Sequence, residues 1–137
     1  MAEIWKGAPV GAAITKELQE RVQALQEKGV GPALALLRVG ERADDLAFET
    51  AAVKSCEKAG VAVKKFLLPA DASEEEVLHA VKTINEDRSV HGCLMFRPLP
   101  DRAAEKAACE LLDPAKDVDG MTDISLSTVF TGKGKGY

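Results

Sequence analysis

Chemistry in this chain has to come from a few polar clusters. Lys116-Asp117-Val118-Asp119-Gly120 sets two carboxylates beside a glycine. A calcium loop would need a third acidic position and a distal glutamate, both missing, and a tight turn explains the same residues. Gly132, Gly134 and Gly136 alternate with lysines, but a phosphate-cradling loop needs a strand before it, a helix after it and GxGxxG spacing, and the sequence offers none of these. His79 and His91 have no cysteine or second histidine at metal-ligand spacing. No serine sits in a nucleophile-elbow pattern, so a hydrolytic triad has no support. What remains is Phe96-Arg97-Pro98-Leu99-Pro100, an aromatic ring and a cation ahead of two prolines that forbid ladder hydrogen bonds and keep the loop extended and stiff.

The surrounding elements must position these residues. Ile14, Leu18, Val22 and Leu25 recur at helical spacing between Gly11 and Lys28, after an extended start, with Gly29 as the stop. Pro32 to Val39 reads as an apolar run of strand length closed by Gly40 and a polar turn, which predicts a buried strand. A second helix is expected to start with Asp44 or Asp45 as its cap, run through Leu46, Phe48, Ala52 and Cys56, and stop at Gly60. Val61 to Leu68, broken by Lys64-Lys65, predicts a strand with one wet face or an edge position. Ser73 and Glu76 form a capping-box pair ahead of the stripe Val77, Leu78, Val81 and Ile84. Gly92 to Phe96 predicts a third strand, and Asp101 to Leu112 a fourth helix with Ala104, Ala107, Ala108, Leu111 and Leu112 toward the core. Beyond Asp113-Pro114 the pattern is less regular, and Gly132 to Tyr137 reads as a linker with no helix to close the chain.

Strands alternating with helices at this spacing define an α/β fold: a mainly parallel sheet layered with helices on both faces, in a single domain over residues 1–137. Ligands of open sheets bind outside the carboxyl ends of the strands, which directs attention to the loops after Val39, Leu68 and Phe96.

Bulk properties narrow the partners. The 137 residues are 46% hydrophobic and 29% charged, the composition of one globular domain. With 18 Lys and Arg against 22 Asp and Glu the net charge is -4, so no basic field is available for a phosphate backbone or an anionic membrane. No apolar run approaches the roughly 20 residues of a membrane helix, and Met1 to Lys6 lack the basic start, apolar stretch and cleavage site of a secretory signal. A cytoplasmic location is expected, with no nucleic-acid or membrane partner. Cys56, Cys93 and Cys109 are odd in number and form no CxxC pair, so all three are expected to be small core residues rather than disulfide or zinc partners.

Three segments together carry a family resemblance: Gly40 through the helix ending Cys56-Glu57-Lys58-Ala59-Gly60, then Gly92-Cys93-Leu94-Met95-Phe96-Arg97-Pro98-Leu99-Pro100, then Asp113-Pro114-Ala115-Lys116-Asp117-Val118-Asp119-Gly120. Over nearly its whole length the chain resembles the N-terminal catalytic domain of the bifunctional methylenetetrahydrofolate dehydrogenase/methenyltetrahydrofolate cyclohydrolase family. The resemblance implies oxidation of 5,10-methylenetetrahydrofolate by hydride transfer to NAD or NADP, followed by hydrolysis of the methenyl product to 10-formyltetrahydrofolate. It also implies a folate cleft between this domain and a C-terminal Rossmann domain that supplies nearly all of the dinucleotide site. That second domain is expected after Tyr137, so this chain alone is expected to bind no dinucleotide and not to turn over as a dehydrogenase. Full-length members are commonly homodimers joined largely through it, which implies a homodimer for a full-length protein and a monomer for this chain.

The same resemblance assigns positions. The family's second helix carries Ser-x-x-Tyr-x-x-x-Lys, in which the tyrosine packs on folate and the lysine drives hydration of the methenyl carbon. An ungapped count from Gly40 to Gly60 puts Asp45 at the serine, Phe48 at the tyrosine and Ala52 at the lysine. Lys54 lies about 200° further round the helix and cannot replace that lysine. Phe96 stands at the family glutamine and Arg97 at the following leucine, while Asp119 keeps the aspartate that grips the pterin. The implied substrate-binding set is Phe48, Ala52, Phe96, Arg97, Pro98, Leu99, Pro100 and Asp119, with no catalytic residue retained and no metal. Phe48 and Phe96 are expected to stack on folate rings, and Arg97 to meet a glutamate tail or cofactor phosphate or to stand as a solvated rim charge. Hydride departure needs mainly positioning, whereas hydration needs activated water, work typically worth 10²–10⁴-fold. The expectation is therefore a dehydrogenase domain whose cyclohydrolase activity is weak or lost. The alternative is a degenerate, non-catalytic paralogue acting as a binding or interaction module.

Overall fold

A computed structural model describes residue 4 and residues 6–133. The elements run α1 (Gly7–Glu27), β1 (Ala33–Val39), α2 (Ala43–Ala59), β2 (Ala62–Leu68), α3 (Glu74–Glu86), β3 (Gly92–Met95), α4 (Arg102–Leu111), a 3-10 turn (Pro114–Lys116) and α5 (Asp123–Thr131). The three strands form one parallel sheet in the order β2-β1-β3. This is the expected α/β architecture, and β2 occupies an edge, where its two lysines keep access to solvent.

Period-two alternation divides β1 between two layers. Ala35, Leu37 and Val39 enter the main core with Val77, Val81 and Ile84 of α3, Cys93 and Met95 of β3, and Ala104 and Ala108 of α4. Leu36 and Arg38 point to the opposite layer, where α2 lies with α1 against it. Arg38 corrects the reading of β1 as purely apolar: it is only 4% exposed, and its charge is met by Glu49 of α2, itself 7% exposed.

Local signals account for most boundaries. Ser73 and Glu76 make the reciprocal capping box, with Ser73 N donating to Glu76 Oε2 at 2.8 Å. Asp101 caps α4 by accepting from Ala103 N at 2.8 Å. Other expectations are corrected. Helix α1 starts at Gly7 rather than Gly11, because Pro9 falls in the first turn, where its missing N–H has no intrahelical partner to lose. Only Val22 of its stripe is buried; Ile14, Leu18 and Leu25 remain exposed, since α1 packs on α2 rather than on the sheet. Neither Asp44 nor Asp45 caps α2: Arg42 occupies that position without a side-chain cap, and both acids lie inside the first turn, where the helix dipole favours them. Of the cysteines only Cys93 is buried, while Cys56 and Cys109 are half-buried.

The segment read as irregular contains α5. Its start is set by Thr122, whose hydroxyl accepts from Ser125 N at 3.1 Å, and its end by Gly132 in the left-handed region at φ 66°. Leu126, Val129 and Phe130 recur at i, i+3 and i+4 but stay exposed, while the buried residues at this end are Thr122 and Ser125, so the polar side of this helix faces the domain. The linker reading falls largely on residues 134–137 and the extended start partly on residues 1–3 and 5, outside the described residues. Among the described residues no helix is long and apolar enough to cross a membrane.

Candidate functional site

From β1 the chain crosses to β2 on one side, and from β2 it returns past β1 to β3 on the other. The connections therefore diverge between β1 and β3, and ligands of open α/β sheets bind at such a switch point beyond the carboxyl ends of the strands. A cleft of about 370 Å³ lies there, lined by Asp44, Asp45 and Phe48 of α2, Leu94 and Met95 of β3, and Phe96, Arg97 and Asp119. A larger groove of about 910 Å³ runs between α3 and Phe66 and Leu68 of the edge strand. It sits along the flank of the sheet, and among its polar groups Ser73 and Glu76 are already committed to capping α3.

The cleft brings together Phe48, Phe96, Arg97 and Asp119 from the expected set. Phe96 is 6% exposed, and its ring meets that of Phe48 edge to face, with centroids 5.4 Å apart. Phe48 is 56% exposed, so Phe48 offers the free aromatic face and Phe96 supports it from below. Arg97 Nη2 reaches Asp119 Oδ2 at 3.4 Å.

The remaining expected residues are placed otherwise. Ala52 is half-buried one turn beyond Phe48 and does not line the cleft. Leu99 is 5% exposed and belongs to the main core, where its N–H donates to Glu105 Oε2 at 2.7 Å. Pro98 and Pro100 are exposed, the Arg97-Pro98 peptide is cis, and neither proline lines the cleft. Their part is to stiffen the backbone that carries Arg97. Asp44, Asp45, Leu94 and Met95 were outside the expected binding set; the available signal was the C-terminal end of β3 for Leu94 and Met95 and the first turn of the helix after β1 for the two acids.

The acids of α2 are balanced locally. Arg42 Nε donates to Asp44 Oδ1 at 3.1 Å and lies 3.8 Å from Asp45 Oδ2. Its hydrogen bond holds the Asp44 carboxyl below the usual aspartate range.

Asp119 is presented by a turn built from its neighbours. Lys116 Nζ donates to the carbonyls of Ile84, Asn85 and Asp87 at 2.6, 2.9 and 2.8 Å, closing the C-terminal end of α3. Asp117 is fully buried and accepts from Met121 N at 3.0 Å and Thr122 N at 2.8 Å. Burial alone would raise its carboxyl; the Thr122 and Met121 amides and neighbouring hydroxyls outweigh that and leave it lowered. Gly92 lets this turn approach β3, because a Cβ there would lie 2.6 Å from Val118 Cγ1. The buried Cys93 thiol beside it is pushed up to about 12, first by burial and then by Asp117. Asp117→Asn places an amide donor against two backbone donors and is expected to cost roughly 1–3 kcal/mol, measured by urea unfolding; a loss below about 0.5 kcal/mol contradicts this account of the turn.

A parallel sheet with an aromatic and charged cleft at its switch point makes this an α/β domain with a candidate ligand site. The chain belongs to the tetrahydrofolate dehydrogenase/cyclohydrolase family, whose catalytic domain matches residues 5–119. It is 39% identical over 132 residues to bifunctional protein FolD 1 of Desulfitobacterium hafniense, covering 96% of this chain and 47% of that protein. The crystal structure of the bifunctional methylenetetrahydrofolate dehydrogenase/cyclohydrolase FolD from Campylobacter jejuni superposes with a TM-score of 0.91 at 32% identity, over 96% of this chain and 46% of that one. The Trypanosoma brucei methylenetetrahydrofolate dehydrogenase-cyclohydrolase, crystallised with NADP and an inhibitor, gives 0.90 at 27% identity, over 98% of this chain and 46% of that one. The chain thus spans about half the length of the relatives it matches.

Proposed function

We propose that this chain is the folate-binding part of a methylenetetrahydrofolate dehydrogenase, in which hydride passes from the methylene carbon of 5,10-methylenetetrahydrofolate to NAD or NADP and methenyl hydrolysis is weak. The observation that carries this reading is the convergence of Phe48, Arg97 and Asp119 on one cleft at the β1–β3 switch point. The exposed ring of Phe48 supplies a stacking surface, and Asp119 supplies acceptors for the donor edge of a pterin.

The hydride leaves with assistance from the adjacent folate nitrogen lone pair, so the work left to the protein is to hold the ring in a near-attack geometry. Hydration of the methenyl carbon makes a different demand, an activated water and a route for its proton. Ala52 and Phe96 carry no titratable group, and this is the basis for weak hydrolysis. The lining does not suit the pyrophosphate of a dinucleotide, because Arg97 is the one cation among its residues against the three acids Asp44, Asp45 and Asp119. No step is assigned to that cofactor within the described residues.

The test is an absorbance assay on the protein extended to the length of its relatives, given 5,10-methylenetetrahydrofolate with NAD or NADP, following reduced nicotinamide and the methenyl product together. Reduction with methenyl accumulating is the expected result. Reduction with rapid, enzyme-dependent methenyl decay overturns the weak-hydrolysis part. No reduction with either cofactor overturns the dehydrogenase reading in favour of a non-catalytic binding module.

A further inference from the structure

Arg97 and Asp119 stand side by side in the cleft, and neither is saturated by the other. The contact is long, 3.4 Å, and the side chains are 38% and 46% exposed. A guanidinium carries five N–H donors and an ionised carboxylate about four acceptor sites, so most of both sets faces the open space beside Phe48 and Phe96. One wall of the cleft therefore presents a donor group next to a pair of acceptors.

The 2-amino-4-oxo edge of a pterin is the complement of that wall. Its 4-oxo oxygen accepts, while the adjacent ring N–H and the 2-amino group both donate. We propose that Arg97 is a specificity-determining residue that donates to the 4-oxo group of the pterin, beside Asp119, which the family resemblance already assigns to the pterin and whose acceptors suit the ring N–H and the 2-amino group. The proposal rests on the folate reading above and deepens it by naming the edge that is read and the residue that reads its oxygen. The leucine implied at position 97 by the family resemblance has no side-chain donor for this task. A pteridine with a 4-amino group sets an N–H against the guanidinium N–H groups and turns the neighbouring ring nitrogen from donor to acceptor, so the bond to Arg97 and the ring bond to Asp119 are both lost, and the share due to Arg97 is the share that its replacement removes. The two prolines that flank the buried Leu99 after Arg97 and the buried Asp117 near Asp119 restrict both backbones before any ligand arrives.

The experiment is calorimetric titration of this chain and of its Arg97→Leu and Arg97→Lys variants with tetrahydrofolate and with its 4-amino-4-deoxy analogue, each variant first checked for an unchanged melting transition. The unaltered chain is expected to prefer the 4-oxo ligand by roughly 100-fold or more, the range of two charge-assisted hydrogen bonds. Arg97→Leu is expected to reduce that preference by about tenfold, mainly by weakening the 4-oxo ligand, with the ring-nitrogen mismatch at Asp119 left in place, and Arg97→Lys, which keeps a donor, to recover part of the loss. An undiminished preference in Arg97→Leu overturns the role of Arg97 and leaves the folate reading standing. Failure of both ligands to bind the unaltered chain overturns the two together.

Discussion

Replacing Glu49 with alanine is expected to destabilise the chain by roughly 3–5 kcal/mol, the usual cost of breaking a buried ion pair from one side. Glu49 Oε2 accepts from Arg38 Nε at 2.7 Å, and their side chains are 9% and 5% exposed. Its other oxygen meets Lys65 Nζ at 2.7 Å, although Lys65 is 43% exposed and its share is discounted for solvent screening. One carboxylate thus ties α2 to β1 and β2 at once. Without it the Arg38 guanidinium keeps only the Gly40 carbonyl among these partners and remains buried with an uncompensated charge. In a domain of this size the loss corresponds to a fall in melting temperature on the order of 10–20 °C. A fall of less than about 3 °C rejects the argument, whereas replacing Arg38 and Glu49 together by methionines is expected to restore most of the stability, because the desolvation of both charges disappears with them.

The same carboxyl gives the pH dependence a definite sign. The Lys65 hydrogen bond, helped by Arg38, outweighs burial and leaves Glu49 below its ordinary value. A group depressed on folding contributes its stability in full above the unfolded-state value, about 4.3 for glutamate, and loses it as pH falls through the lower folded value. The stability difference between the unaltered chain and Glu49→Gln is therefore expected to be constant near neutrality and to shrink as the pH drops below about 4. Chemical unfolding of the two proteins across that range measures it, and a difference that grows toward acid has the wrong sign for this explanation.

The second large effect is a gain. Introducing Ala52→Lys together with Phe96→Gln is expected to raise the rate of methenyltetrahydrofolate hydrolysis by about 10²–10⁴-fold, the contribution of a positioned proton-transfer group. Hydrolysis needs only folate and water, so the chain itself can be assayed by the decay of methenyl absorbance. Ala52 lies four residues after Phe48, about 40° round the helix, so a lysine there can extend toward the cleft that Phe48 lines. Phe96 is buried against Phe48, so its replacement removes support for that ring, and a melting measurement must accompany the kinetics. Ala52→Lys alone is the gentler variant and is expected to give part of the gain. If neither protein accelerates hydrolysis while both still bind folate, residues 52 and 96 are not what limits that activity.

Much of this protein was legible in its residues because the signals are local. The capping box at Ser73 and Glu76, the end of α2 at Gly60 and the lysine-broken edge strand each depend on the backbone requirements of a few neighbouring residues. Strand and helix alternation then required a parallel sheet, and the proline loop with Lys116 to Gly120 was enough to bring the family into view.

Tertiary structure decided what depends on partners far away in sequence. Arg38 interrupts an apolar strand and Glu49 a helix, and neither reads as buried until the fold sets them 2.7 Å apart, when each offsets part of the other's desolvation cost. Phe48 and Phe96 look alike in sequence; the packing of α2 against the end of β3 exposes one and buries the other. Leu99 goes to the core and Arg97 to the cleft because the loop after β3 turns between them. Helix α5 had a cap, a glycine stop and a short apolar stripe at Leu126, Val129 and Phe130, but only the tertiary structure shows that this stripe faces solvent while Thr122 and Ser125 are buried.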